Sequence, residues 1–149
     1  MPLEIINTKL EELKVNSIVN FDNDKVEMKT GIAHQLYLAA GAIDTANAIK
    51  KHLPLQVGDI FMTPAYRLEA RNFIHVIVGR IDKANEAKEV KDILLRLLNF
   101  AANNDIKSLA IPYGKDSFLY QYKDCYKKII EPTIRHFINI YPLTVYLVK

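Results

Sequence analysis

The run Phe73-Ile74-His75-Val76-Ile77-Val78 constrains the fold of this chain more than any other stretch. Residues this apolar, with hardly a polar break, suit a strand covered on both faces, as in parallel sheets flanked by helices. The segment after it agrees. Val90, Ile93, Leu94, Leu97, Leu98 and Ala101 recur at three- and four-residue spacing and form one apolar stripe, with Lys88, Glu89, Lys91, Asp92 and Arg96 on the wet side. Asn103-Asn104-Asp105 ends that helix, and Leu109-Ala110-Ile111 reads as another buried strand.

The same alternation runs through the rest. Leu3 to Ile6 reads as a first strand, and Val15 to Asn20 as a second with an abrupt polar end. Ile32, Leu36, Ala39, Ala40 and Ile43 share a helical face, and Ile43, Ala46, Ile49 and Leu53 continue the pattern to Pro54; Gly41 either ends the first helix or is crossed by it. Asp59 to Thr63 is a short strand closed by Pro64. Tyr122, Tyr126, Ile129, Ile130, Ile134, Phe137 and Ile138 give a last helical face, in which Pro132 either kinks one helix or opens a second; Leu143 to Val148 is the closing strand. Strands alternating with helices predict an α/β domain around a mixed, largely parallel sheet. Ligands of such sheets sit beyond the carboxyl ends of strands, and the turns at residues 20–33 and 112–119 qualify.

The chain of 149 residues suits a single domain, 1–149, and its net charge of +3 permits anionic ligands without arguing for nucleic acid. Met-Pro-Leu-Glu shows no basic region followed by an apolar run, so no signal peptide is expected, and no apolar run approaches the roughly 20 residues that span a bilayer. The one cysteine, Cys125, excludes an internal disulfide and fits a reducing compartment, so the expected location is cytoplasmic, with no membrane partner. No metal or other cofactor is implied. Asp22, Asp24 and Glu27 fail as an EF-hand, with Val26 where the fifth position needs an oxygen and Glu27 where the sixth needs glycine; they read as solvated loop acids. His34, His52, His75 and His136 lack metal-ligand spacing, and His75 reads as a satisfied core histidine. Cys125 reads as an inert thiol. Neither Gly-x-Ser-x-Gly nor a phosphate-loop lysine motif occurs.

Three motifs in order resemble the macro domain family. Its Val-Asn-Ala-Ala-Asn strand end, glycine-rich loop, Val-Ala and Ala-Ala-Gly correspond to Ile18-Val19-Asn20-Phe21-Asp22-Asn23, a seven-residue loop, Gly31-Ile32-Ala33 and Ala39-Ala40-Gly41. Its Gly-Asp/Glu-Ala strand corresponds to Gly58-Asp59-Ile60-Phe61-Met62-Thr63, and its Val-Ile-His-x-Val-Gly segment to Phe73-Ile74-His75-Val76-Ile77-Val78-Gly79. The resemblance spans residues 3 to 149 and implies a three-layer α/β/α sandwich that binds ADP-ribose or a related nucleotide. It implies that Asn23 faces the distal ribose, that the loop from Met28 through Gly31 and Ile32 to Ala33 lays backbone amides along the diphosphate, and that Tyr113 to Phe118 closes the other side. Tyr113 or Phe118 would then stack near ribose or base, with Gly114 in the loop between them. Helix-start amides attract phosphate oxygens without a lysine, which suits this layout. Asn20 and Asn23 stay open between ribose contact and Asx-type loop bonding, with the structural role favoured for Asn20.

The chain departs from the family at four places. The glycine run is Met28-Lys29-Thr30-Gly31, the second loop has Gly114 alone, the adenine-facing aspartate falls at Lys9, and the acid of one hydrolase branch falls at Ala33. Alanine offers no general acid or base, so hydrolysis by that route is not expected. Two alternatives to binding remain: an ADP-ribosyl or phosphate-ester hydrolase of the macro type, and a ligand-free scaffold for RNA or a protein partner. The second draws on the tyrosine- and lysine-bearing stretch 113–128, where core packing of Tyr122 and Tyr126 also explains part of the pattern.

Overall fold

The computed structural model of the chain describes residues 3–28 and 31–149. Its strands are β1 (Leu3–Ile6), β2 (Ser17–Asp22), β3 (Ile60–Pro64), β4 (Asn72–Ile77), β5 (Ser108–Pro112) and β6 (Thr144–Val148). They form one six-stranded sheet in the order β1-β6-β5-β2-β4-β3. All neighbours run parallel except β3, which is antiparallel to β4. Pro64 is tolerated because β3 is an edge strand, where a missing N–H breaks no ladder on the open side.

Four α-helices flank the sheet: α1 (Gly31–Ala40), α2 (Ala42–Lys50), α3 (Glu86–Asn103) and α4 (Glu131–Ile140). Strand side chains alternate between faces and so feed two cores. Ile18, Phe73, Ile77, Ala110 and Val148 join Leu36 and Ala40 of α1 and Ile49 of α2. Val19, Ile74, Val76, Leu109, Ile111 and Val145 join Val90, Leu94, Leu97 and Leu98 of α3 and Ile134 and Phe137 of α4. The result is the expected three-layer α/β/α sandwich with a mixed, mostly parallel sheet.

Three local expectations change. Gly41, at φ 115, separates α1 from α2, so the helical face does not run on; Ile43 is 78% exposed instead of buried, and α2 stops at Lys50, short of Leu53. The last helical stretch is three pieces: a 3-10 turn at Leu119–Cys125, a π turn at Tyr126–Ile130, then α4. Pro132 lies in the first turn of α4, where its missing N–H has no intrahelical partner to lose. And β2 continues two residues beyond Asn20, because Asn20, Phe21 and Asp22 pair with His75, Val76 and Ile77 of β4.

The topology places an opening. Neighbours β2 and β5 pair only at Ser17 with Leu109 and Ile18 with Ala110. Beyond that point the chain leaves β2 toward α1 on one face, and leaves β5 toward the Leu119–Cys125 turn on the other. Adjacent parallel strands whose connections part to opposite faces leave a crevice at their carboxyl ends.

Candidate functional site

A groove of about 460 Å³ fills that crevice. Val19, Asn20, Phe21 and Pro112 form its floor, Asp22, Asn23 and Met28 one wall, Ile32, Ala33 and Leu36 the start of α1, and Asp116, Ser117, Phe118, Tyr120 and Gln121 the facing wall. Of the residues expected at a site, Asn20, Asn23, Ile32, Ala33 and Phe118 meet here.

The first wall is built from hydrogen bonds. Asn20 is 3% exposed, and its Nδ2 lies 3.1 Å from His75 Nδ1 and 3.5 Å from Asp22 Oδ2. Asp22 accepts the Asn23 amide on Oδ1 at 2.8 Å and the Met28 amide on Oδ2 at 3.3 Å. Burial raises the Asp22 carboxyl above its ordinary pKa, while the backbone hydrogen bond from Asn23 pulls it back. Asp22 is therefore the organiser of this loop and a groove residue, not the solvated acid expected from the sequence; the signal was its place at the end of a paired strand. Asp24 is exposed, as expected. Asn23 accepts the Lys25 amide on Oδ1 at 2.9 Å, an Asx turn.

Loop backbone here is unusual. Val26 and Met28 have φ of 47° and 51°, conformations L-residues adopt rarely and β-branched ones more rarely still. Met28 is 1% exposed and its side chain belongs to the core that holds Leu36, so its bulk goes mostly inward. Lys29 and Thr30 lie outside the described residues. Gly31 has φ of 59°, and a Cβ there would stand 3.2 Å from the Asp116 carbonyl oxygen, so glycine is favoured both by conformation and by the touch of the second loop.

The second wall is built from rings. Phe118 stacks on Phe21 with centroids 5.0 Å apart and meets Tyr122 edge-on at 5.3 Å. Ser117 Oγ donates to the Gly114 carbonyl at 2.6 Å and accepts the Tyr120 amide at 3.3 Å, closing the turn. Tyr113 and Gly114 do not line the groove. Tyr113 is 1% exposed, its hydroxyl donates to Glu131 Oε2 at 2.9 Å, and its ring stacks on Tyr126 at 3.6 Å. Tyr126 in turn donates to the Tyr113 carbonyl at 2.6 Å, and burial pushes its hydroxyl up to about 12. Of the two rings expected to stack on a ligand, Phe118 stands in the groove and Tyr113 behind it. Gly114 is held against the last strand, where a Cβ would come 2.6 Å from the Lys149 carbonyl carbon.

A second recess of about 490 Å³ shares Ile32, Leu36 and Asp116 with the groove and is lined also by Thr8, Lys9, Glu11 and Gln35. Lys9 precedes a 3-10 turn, Leu10–Glu12, that brings the half-buried Glu11 to the same recess. Sequence reasoning looked for an aspartate and passed over this glutamate.

The other candidates are structural. His75 is fully buried, with Nε2 2.8 Å from Thr63 Oγ1 as well as the Asn20 contact, and burial lowers its pKa to about 3. Cys125 is 8% exposed, with Sγ 3.7 Å from Glu86 Oε2, and burial raises its pKa, so the thiol stays protonated. Among the described residues no cluster of three or more His, Cys, Asp or Glu could hold a metal, and no helix is long and apolar enough to cross a membrane.

Comparison with known proteins agrees with this geometry. The chain is 24% identical over its full length to an uncharacterized protein of Sulfurisphaera tokodaii, covering 84% of it. It is 29% identical to an O-acetyl-ADP-ribose deacetylase of Salmonella typhimurium, over 74% of this chain and 64% of that one. Among solved structures, a Trypanosoma brucei macrodomain in complex with ADP-ribose superposes with a TM-score of 0.79 at 16% identity, over 98% of this chain and 62% of that one. The sequence model of the Macro domain family matches residues 19–114, and the chain belongs to that family.

Proposed function

We propose that the protein binds ADP-ribose, or a nucleotide closely related to it, along the groove between the two loops. One observation carries this reading: in a macro domain chain, the carboxyl ends of β2 and β5 splay around a groove with Asn20 in its floor, Asp22 and Asn23 on one wall and Phe118 on the other. Asn23 Nδ2 donates to a ribose oxygen, Phe118 covers the sugar, and the amides of Gly31, Ile32 and Ala33 face the diphosphate at the start of α1. Glu11, in the neighbouring recess, accepts from the amino group of the base in place of the aspartate missing at Lys9. Among the described residues no lysine or arginine lines the groove, and backbone amides are the donors offered to phosphate there. Calorimetric titration with ADP-ribose, beside AMP and ribose 5-phosphate, tests the reading: binding of ADP-ribose well above either fragment supports it, and no heat up to millimolar ligand refutes it.

The hydrolase alternative has Asp22 in its favour, a groove carboxyl with a raised pKa. Both its oxygens already hold loop amides, which favours binding over catalysis. The RNA alternative is weakened because Tyr113 and Tyr122 are buried and unable to stack on bases. A reducing, cytoplasmic setting suits the free Cys125.

A further inference from the structure

A chain of buried polar contacts runs from the groove floor through the sheet to its edge. Asn20 of β2, His75 of β4 and Thr63 of β3 stand on adjacent strands, with Asn20 opposite His75 in the ladder. All three are buried, at 3%, 0% and 2% exposure. Phe61 and Phe73 pack against the imidazole, at 4.7 and 5.6 Å between centroids. Polar groups this deep in a hydrophobic sheet cost stability unless every one is bonded.

The proton positions follow from Asp22. An ionised carboxylate only accepts, so the Asn20 atom facing Asp22 Oδ2 is the amide nitrogen. The same nitrogen faces His75 Nδ1, which must then carry a lone pair. The neutral ring holds its proton on Nε2 and donates it to Thr63 Oγ1. Both Asn20 N–H bonds are thus committed, one into the sheet and one to the loop. The remaining polar atom, Oδ1, has no hydrogen-bond partner among the described residues, and it is not among their polar atoms sealed from solvent without one. Asn20 lines the groove, so an unpaired Oδ1 would open there.

We propose that His75, held by Thr63, is a positioning residue for the groove: its Nδ1 lone pair fixes the Asn20 carboxamide so that Oδ1 meets a hydroxyl of the bound sugar and Nδ2 steadies Asp22 and the loop it organises. This rests on the reading of the groove as a nucleotide-sugar site. It gives Asn20 a ligand contact beside its structural one. An acceptor-only atom on a fixed plane selects a donor, so a ligand with a hydroxyl at that point binds better than its deoxy counterpart.

Two variants separate positioning from plain packing. His75→Leu keeps the volume and removes both nitrogens; His75→Asn puts a carboxamide oxygen near the place of Nδ1 and so can still accept from Asn20. Both lose thermal stability, but the affinity for ADP-ribose falls about tenfold in His75→Leu and within about threefold in His75→Asn. Equal losses in the two, or no loss in His75→Leu, overturn the proposal. A measurement on the unliganded wild type stands beside these and needs no variant to fold. A ¹⁵N–¹⁵N coupling across the hydrogen bond between Asn20 Nδ2 and His75 Nδ1, with the ring proton on Nε2, supports the relay; a proton on Nδ1 overturns it. If ADP-ribose does not bind the wild type, the nucleotide reading fails, while the coupling still decides the relay.

Discussion

The loop after β2 is held from below by polar bonds, Asn20 to His75 and Asp22 to the amides of Asn23 and Met28, whereas the loop after β5 is held by rings, Tyr113 on Tyr126 and Phe118 on Phe21. The two touch at Gly31 and Asp116. Hydrogen bonds are directional and weak in net terms, so they set where an atom points more than how stable the fold is. Aromatic burial is strong and tolerant of small shifts. Stability is therefore concentrated in the second loop and ligand geometry in the first.

Tyr113→Ala is expected to have the largest effect, a stability loss of about 3–5 kcal/mol in denaturant unfolding, because it leaves a cavity beneath the second loop. A loss below about 1 kcal/mol would mean the tyrosine stack does not hold that loop. Acid acts next, through the first loop's anchor. His75 has a folded-state pKa of about 3 against an ordinary 6.5, so the unfolded chain binds the proton that the native state refuses. Its contribution leaves stability intact above pH 6.5 and removes it as pH falls toward 3, with a slope of up to about 1.4 kcal/mol per pH unit. Asp22, with its raised pKa, acts in the opposite sense, since its native form takes up a proton more readily than its unfolded one. Unfolding curves of wild type and His75→Asn between pH 6.5 and 4.5 check this: the slope should flatten in the variant, and identical slopes would remove His75 from the account.

Gly31→Ala is expected to cost about 1–2 kcal/mol of stability through its positive φ, and to weaken ADP-ribose binding because the touching loops must part. Asp22→Asn keeps the shape but turns one accepting oxygen into a donor; stability should drop by about 1 kcal/mol and affinity by a larger factor. Phe118→Leu removes a ring from the stack on Phe21 and should cost about 1.5 kcal/mol of stability, while lowering affinity less than Asp22→Asn does. If Asp22→Asn destabilises more than Phe118→Leu does, the division between a stabilising and a positioning loop is wrong at the groove itself.

The alternation of strands and helices around a mostly parallel sheet could be read because it depends on periodicity: the 73–78 run and the stripe from Val90 to Ala101 each bury one way only. The three layers came from the family resemblance, and the strand order only from the structure. Asn20, Asn23, Ile32, Ala33 and Phe118 could be placed near one another because both qualifying turns follow parallel strands. What failed was local. Gly41 rephased the helix and exposed Ile43, a consequence of one positive φ that periodicity cannot carry. Tyr113 went behind the groove because its ring partner, Tyr126, comes from a π turn that no spacing rule announces. Asp22 looked like a loop acid until its strand pairing was known, and Glu11 came into the second recess only through a 3-10 turn.

The most direct test of the groove between these two loops is an amide ¹H–¹⁵N titration of the labelled protein with ADP-ribose. The account predicts that the amides of Asn23, Gly31, Ile32, Ala33, Asp116, Ser117 and Phe118 shift together along one binding curve, while those of α4 stay in place. Saturable shifts confined to another face, or none at millimolar ADP-ribose, would contradict it.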